Sequence, residues 1–200
     1  MNKNILIFFL ILSIANSYAQ RKKTAKNSKA ISTPTKSVLA TAGYMTAEMQ
    51  KNIFFITVDN KKTEKDTIQI KIYSDKMVPT NAKLQAFTAN GKVLHLITWI
   101  DSYQKNSPLV KENITETHSV IFDAISKKKL INNIQKSTAI TEIRFLDLKK
   151  TVSETIDKKR NEGYIFALLT NGNVNLKSKN QNLTLSYDNE KKEFVSMYKK

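Results

Sequence analysis

The sequence has no cysteine. Disulfides, thiolate metal sites, thiol nucleophiles and redox switches are therefore excluded, and stability must come from packing. A lipid-anchoring cysteine after the leader is excluded with them. Glycine is almost as scarce: there are four, and two of these sit in Asn90-Gly91 and Asn171-Gly172. Little remains from which to build a phosphate-cradling loop. The chain also lacks a G-x-S-x-G elbow and an H-E-x-x-H motif. Arginine is confined to Arg21, Arg144 and Arg160, although the formal net charge is +16. Lysine is a hydrated point charge, whereas arginine is the residue of bidentate phosphate and base recognition. The positive balance thus suits solubility and loose attraction to anionic surfaces, and no nucleic-acid partner is expected.

Residues 1–19 have the pattern of a secretory signal peptide. Lys3 supplies the positive start, residues 5–14 the apolar run, and Ser17 and Ala19 the small residues before a cleavage point at Gln20. The apolar run is shorter than the ~20 residues that span a bilayer. No later stretch is long and apolar enough to do so, and no transmembrane segment is expected after cleavage. An exported, cysteine-free chain rich in Lys, Asn and Ile fits a bacterial envelope protein, periplasmic or secreted. Residues 20–37 carry Arg21, Lys22, Lys23, Lys26, Lys29 and Lys36 and no acidic residue. Low hydrophobicity with high charge predicts a disordered basic arm. Residues 38–200 are expected to form a single β-rich domain.

The strongest β signal lies between Asn52 and Asp101. In residues 67–73, Ile68, Ile70 and Ile72 alternate with Thr67, Gln69, Lys71 and Tyr73, so one strand face is buried and one is wet. Residues 53–58 and 93–100 are apolar on both faces, and their β-branched and aromatic content favours strands. Residues 84–89 make a further strand. Asn90-Gly91 between two such runs predicts a type I′ hairpin, which needs positive φ at both positions. Residues 38–50 fit a short helix or a first strand. Residues 102–111, with Pro108, read as a polar connection, and residues 115–123 as a strand. At 126–129 a turn with a returning strand is preferred over a helix, whose N-terminus the lysines would oppose.

Residues 140–148 read as a strand. Thr151 and Glu154 have capping-box spacing, and Gly163 suits a C-terminal cap, so residues 152–161 are expected to form a short charged surface helix. A second β region follows: 164–170, the Asn171-Gly172 turn, Val174 and Leu176, then Leu183, Leu185 and Tyr187, a charged turn at 188–192, and 194–198. The expected fold is mainly β or α+β: an antiparallel sandwich or partly open barrel built from Asn-Gly hairpins, with one or two short helices.

Candidate sites are few. His95 lies in the most apolar strand, where a packed, satisfied imidazole is the ordinary outcome. His118 and Glu116 share a strand face and form a possible His–carboxylate dyad or part of a metal site, but no third ligand is identifiable from the sequence. No metal site, catalytic residue or cofactor is assigned. Trp99 and Tyr103, near a strand end, are candidates to anchor a partner, with core packing the commoner role for Trp99. Lys127, Lys128 and Lys129 are candidate anion or partner contacts, against a solvated turn. The favoured function is a non-catalytic binding or structural component of a bacterial envelope assembly, its partner another envelope protein. The alternatives are an electrostatic binder of an anionic surface polymer, such as acidic glycan or lipopolysaccharide, and an exported hydrolase using an Asp/Glu pair.

Overall fold

The computed structural model describes residues 36–59, 65–74 and 77–197. The expected signal peptide, the expected basic arm through residue 35 and Tyr198 lie outside these residues; the arm's last expected residue, Ser37, instead begins the first strand. The described residues form thirteen strands: β1 Ser37–Ala42, β2 Met45–Gln50, β3 Ile53–Val58, β4 Asp66–Ile72, β5 Thr80–Ala89, β6 Lys92–Asn106, β7 Val110–Asp123, β8 Lys128–Phe145, β9 Ser153–Glu162, β10 Ile165–Leu168, β11 Val174–Lys177, β12 Asn182–Asp188 and β13 Glu193–Ser196. Every pairing is antiparallel between chain neighbours. The strands make three open meanders, β1–β4, β5–β9 and β10–β13. None closes into a barrel.

The middle sheet, β5–β9, carries the other two on opposite faces. Along β6, Ile97 and Trp99 point into a core with Met45, Phe54 and Ile56 of the first sheet. Leu94 and Leu96 point the other way, to Val174 and Tyr187 of the third. On β7, Val120 and Phe122 join the first core and Ile121 the second. This explains the run at 93–100 that is apolar on both faces, since a strand covered on both sides has no wet face. Phe54 and Phe122 are fully buried between the first two sheets, and each such side chain contributes about 1.5–3 kcal/mol.

Asn90 and Gly91 both have positive φ, 51° and 77°, and close β5–β6 as the sequence predicts. Residues 38–50 resolve to two strands rather than a helix, joined by a turn in which Gly43 has φ 57°. The turn before β8 is also as expected: the Asp123 carboxylate accepts from Ile125 N (3.1 Å) and Ser126 Oγ (2.9 Å).

Two expectations are corrected. Residues 102–111 are not a connection: β6 and β7 continue as strands through most of this range, and only residues 107–109 lie between them. The predicted helix at 152–161 is strand β9, and the described residues contain no helix. Thr151 does not cap; its hydroxyl and amide, with Val152 N, donate to the Asp147 carboxylate at 2.5, 2.8 and 3.0 Å. A helix there would bury only Val152 and Ile156, too little apolar contact to hold a short helix. Against the long β8, the same residues pair along their whole length. Gly163 is likewise no helix cap. It has φ 82°, and a Cβ there would lie 2.2 Å from the Ile134 carbonyl oxygen, so only glycine fits where the chain leaves β9. No helix of the described residues is long and apolar enough to cross a membrane.

Candidate functional site

Alternation along β6 sends Trp99, Asp101 and Tyr103 to the face covered by the first sheet. The register places His118 opposite Trp99, Glu116 opposite Asp101 and Ile114 opposite Tyr103. Lys71 of β4, and Tyr73 just beyond it, descend on the same spot. The result is a buried polar cluster where the first two sheets meet.

Asp101 is its centre and is wholly buried. Its Oδ2 accepts from Lys71 Nζ at 2.7 Å and from Trp99 Nε1 at 3.3 Å, and its Oδ1 accepts from the Tyr73 hydroxyl at 2.9 Å. His118 Nε2 lies 3.0 Å from Asp101 Oδ2 and 3.5 Å from Glu116 Oε2. Neither approach has hydrogen-bond geometry, and this buried ring nitrogen has no hydrogen-bond partner. The imidazole is stacked parallel on the Trp99 indole, with centroids 4.5 Å apart. Glu116 turns its other oxygen, Oε1, to the Tyr103 hydroxyl at 2.8 Å.

Burial by itself pushes the Asp101 carboxyl up, but the contacts from His118, Lys71 and Tyr73 outweigh it and hold the pKa down, at about 2. Tyr103 moves the other way: burial first, then its hydrogen bond to Glu116 and that carboxylate's charge, push the phenol up to about 12. Burial and the bond to Asp101 raise Tyr73 too. Asp101 is thus a carboxylate at neutral pH, sealed from water and facing an ammonium. A hydrolase with an Asp/Glu pair needs a proton-bearing acid beside an open cleft; Asp101 and Glu116 do not form that arrangement.

A pH dependence follows. The folded pKa of Asp101 lies below the unfolded value of 3.8. Its contribution is therefore complete above about pH 5 and is lost as pH falls towards 2. At 1.36 kcal/mol per unit, the loss is roughly 2 kcal/mol. Urea unfolding at pH 5 and pH 2 checks this, with Asp101→Asn as reference. The wild type is expected to lose roughly 2 kcal/mol more than the variant over that range, and equal slopes would contradict the assignment.

The candidates read from the sequence fall into two groups. Trp99 and Tyr103 both belong to this cluster, Trp99 as a buried wall and Tyr103 as a ligand of Glu116. The dyad of Glu116 and His118 gains in Asp101 the third group that the sequence did not identify. Its signal was present, because Asp101 is two residues from Trp99 on an alternating strand, but the register that sets it opposite Glu116 is tertiary information. The lysines lie elsewhere. Lys127 pairs with Asp66 at 2.8 Å, and Lys129 donates to the Ile70 carbonyl at 2.9 Å, both clasping the first sheet. Burial lowers the Lys129 pKa. Lys128 is exposed. His95 is packed as expected, stacked on Phe122 at 5.6 Å, yet its Nδ1 has no hydrogen-bond partner; burial lowers its pKa, with Asp123 opposing.

A second surface has no sequence signature at all. Beyond residue 101, β6–β9 extend past the covered cores, and their two faces differ in chemistry. On the cluster's face, Glu142 pairs with Lys158 at 2.6 Å, Lys136 with Glu162 at 3.7 Å, and Arg160 with Glu162 at 3.0 Å. On the opposite face hydroxyls and amides predominate, and Lys111, Asp157 and Lys159 lie towards its outer end. Ser102, Thr115, Ser137 and Asn161 form one cross-strand row, with Thr117 and Gln135 beside it. All are exposed or half-buried. Such rows repeat at about 4.8 Å across strands and about 6.8 Å along them. At the margin, Lys159, Arg160, Lys177 and Lys179 line a cavity of about 580 Å³ with Gln135 and Asn161. Neither a protein-family model, nor a curated protein, nor a solved structure matches this chain.

Proposed function

We propose that this chain is an exported, non-catalytic binding component of a bacterial envelope assembly, and that its recognition surface is the uncovered hydroxyl- and amide-rich face of β6–β9. The observation that supports this reading is the sorting of side chains between the two faces. One face carries the ion pairs of Glu142 with Lys158, Lys136 with Glu162 and Arg160 with Glu162, while the other offers an ordered array of hydroxyls and amides to a partner. Hydrogen bonding of this kind is short-ranged and little affected by salt, unlike contacts between exposed charges. The sealed Asp101 cluster also favours a role without catalysis.

The marginal cavity supports a second reading, binding of an anionic surface polymer. Arg160 is engaged with Glu162, but among the described residues no carboxylate pairs with Lys159, Lys177 or Lys179. Lysines from two separate parts of the chain meet there, as an electrostatic binder requires.

One experiment separates the two. The chain from Gln20 onwards is used to capture material from an envelope extract at low and high salt, in three forms: wild type, Thr115→Glu/Ser137→Glu, and Lys177→Glu/Lys179→Glu. The first reading expects a defined protein retained at high salt by the wild type and lost with the Thr115/Ser137 variant. Retention of anionic polymer at low salt only, abolished by the lysine variant, overturns it in favour of the second. Lys177 and Lys179 are exposed, where substitutions change stability by about 0.5 kcal/mol or less; the two glutamates at 115 and 137 face each other across strands and repel by up to about 1 kcal/mol, so a far-ultraviolet spectrum of that variant checks that it folds.

A further inference from the structure

The Asp101 cluster has an internal logic that a simple ion pair does not require. Each of its carboxylates has one oxygen tied to a tyrosine hydroxyl, Asp101 Oδ1 to Tyr73 and Glu116 Oε1 to Tyr103. Each has its other oxygen turned to the same imidazole nitrogen, at 3.0 and 3.5 Å. The three atoms lie within 4.8 Å of one another. The nitrogen has no hydrogen-bond partner, its ring is 97 % buried (3 % exposed side chain), and stacking on Trp99 fixes its orientation. A buried polar atom left in this state is uncommon and calls for a ligand.

We propose that His118 Nε2, Asp101 Oδ2 and Glu116 Oε2 form a binding site for one divalent cation of the zinc type. Zinc takes imidazole nitrogen and carboxylate oxygen at about 2.0–2.2 Å, so adjacent ligand atoms of a tetrahedral site stand roughly 3.3–3.6 Å apart. The separations of 3.0 and 3.5 Å about Nε2 require only a small adjustment to meet this. The mixed nitrogen and oxygen set suits zinc better than calcium or magnesium, which prefer oxygen alone. The two tyrosines act as outer supports, holding each carboxylate so that one oxygen faces the ion. Glu116 is the route in, since its side chain is 20 % exposed while Asp101 and His118 are sealed. Lys71 is the competitor. Its ammonium sits on Asp101 Oδ2, but its side chain is 31 % exposed and can withdraw to water when an ion enters. Such an ion would fix β6 to β7 at the point where the first sheet lands, so it would act on stability rather than on a reaction.

The test uses the chain from Gln20 onwards, stripped with chelator and titrated with zinc chloride by calorimetry and thermal melting. Magnesium and calcium chlorides serve as comparisons. The expected result is one zinc per chain, a saturable rise in Tm, and no comparable rise with magnesium or calcium. Glu116→Gln keeps the shape at a partly exposed position and should weaken zinc binding by more than 10-fold. Tyr103→Phe, which removes only an outer support, should weaken it about 10- to 100-fold. Far-ultraviolet spectra of both variants without metal check that they fold. No zinc uptake by the wild type overturns the proposal and leaves Lys71 as the resident cation. Uptake that Glu116→Gln does not weaken overturns it as well, because the ion then sits elsewhere.

Discussion

Asp101→Ala is expected to remove about 3–5 kcal/mol of stability at neutral pH, the range found when one partner of a buried, hydrogen-bonded charge pair is deleted. Three donors converge on this carboxylate from two sheets: Lys71 and Tyr73 from the first, Trp99 from the middle one. With alanine in place, the Tyr73 hydroxyl and the Trp99 indole N–H lose their acceptor inside the core. Each buried donor left without a partner costs about 1–3 kcal/mol. Lys71 is less affected, because it can turn to solvent. A domain of this size has only about 5–15 kcal/mol in hand, so the variant should unfold at a markedly lower urea concentration. Asp101→Asn keeps the shape and one acceptor, and should lose less. Lys71→Met should also be costly, since it leaves the carboxylate buried without a cation. The double variant Asp101→Ala/Lys71→Met should then be less damaged than the sum of the two, because the second change no longer strands a charge. A loss below about 1 kcal/mol for Asp101→Ala would mean that water reaches the cluster and that the sheets are held by apolar contact alone.

The lock has a bearing on the proposed recognition surface. The outer ends of β6–β9 have little packing of their own, and Ile114 and Thr138 are the side chains buried there. They keep their register because their inner ends are clamped between two cores. Asp101 and Glu116 stand at the boundary between the clamped and the free parts. A change at the cluster should therefore be felt along the neutral rows of Ser102, Thr115 and Ser137, which share strands with it. An array of short side chains recognises a partner only if the spacing of its rows is fixed, and that fixation is supplied from the buried end.

What was legible in the sequence was local. Alternation at Ile68 and Ile70, the apolar run of 93–100 and the paired positive-φ residues at 90–91 belong to a strand or turn by themselves, and these appear as expected. The expected parity fails at Ile72, which is exposed while Tyr73 is buried, because a register shift leaves Ile70 as an extra residue between Gln69, paired with Phe55, and Lys71, paired with Phe54. The failures lie where distant pairing overrides a local preference. Thr151 and Glu154 spell a helix start, but ten residues of β8 offered backbone partners to the same segment. Nothing in the spacing of Thr115 and Thr117 says that Ser137 and Asn161 continue the row of the first and Gln135 that of the second. The cluster was half legible. Glu116 and His118 share a face by parity, whereas Asp101, Lys71 and Tyr73 arrive through registers and sheet packing that no short window contains. The Lys127–Lys129 run shows the converse, a conspicuous motif whose end members are spent on Asp66 and Ile70.

The two Asn-Gly pairs sharpen the point, because the same dipeptide should respond very differently to the same substitution. Gly91 has φ 77°, and a Cβ there would meet nothing within 4 Å. Gly91→Ala should therefore cost only the left-handed backbone penalty, about 1–2 kcal/mol. Gly172 has φ 82°, but its surroundings are closed: a Cβ would lie 2.1 Å from the Thr88 carbonyl oxygen and 2.7 Å from Ala89 Cα. Here the pair is not a two-residue turn. Asn171 lacks positive φ, Gly172 N donates to the Leu169 carbonyl at 3.0 Å, and the loop presses onto the end of β5. The obstructing atoms are backbone in the middle sheet and cannot rotate aside. The hairpin of β10–β11 must instead lift, opening the core around Ala89, Leu94 and Val174. Overpacking of this kind adds about 1–3 kcal/mol to the backbone penalty. Gly172→Ala should thus lose about 2–5 kcal/mol, and hydrogen exchange should rise across β10–β13 while β1–β4 stay protected. Equal losses for the two glycines would mean that the third sheet is not docked through this loop. A larger loss at Gly172, with exchange confined to β10–β13, would establish that the third sheet opens as a unit from the middle one.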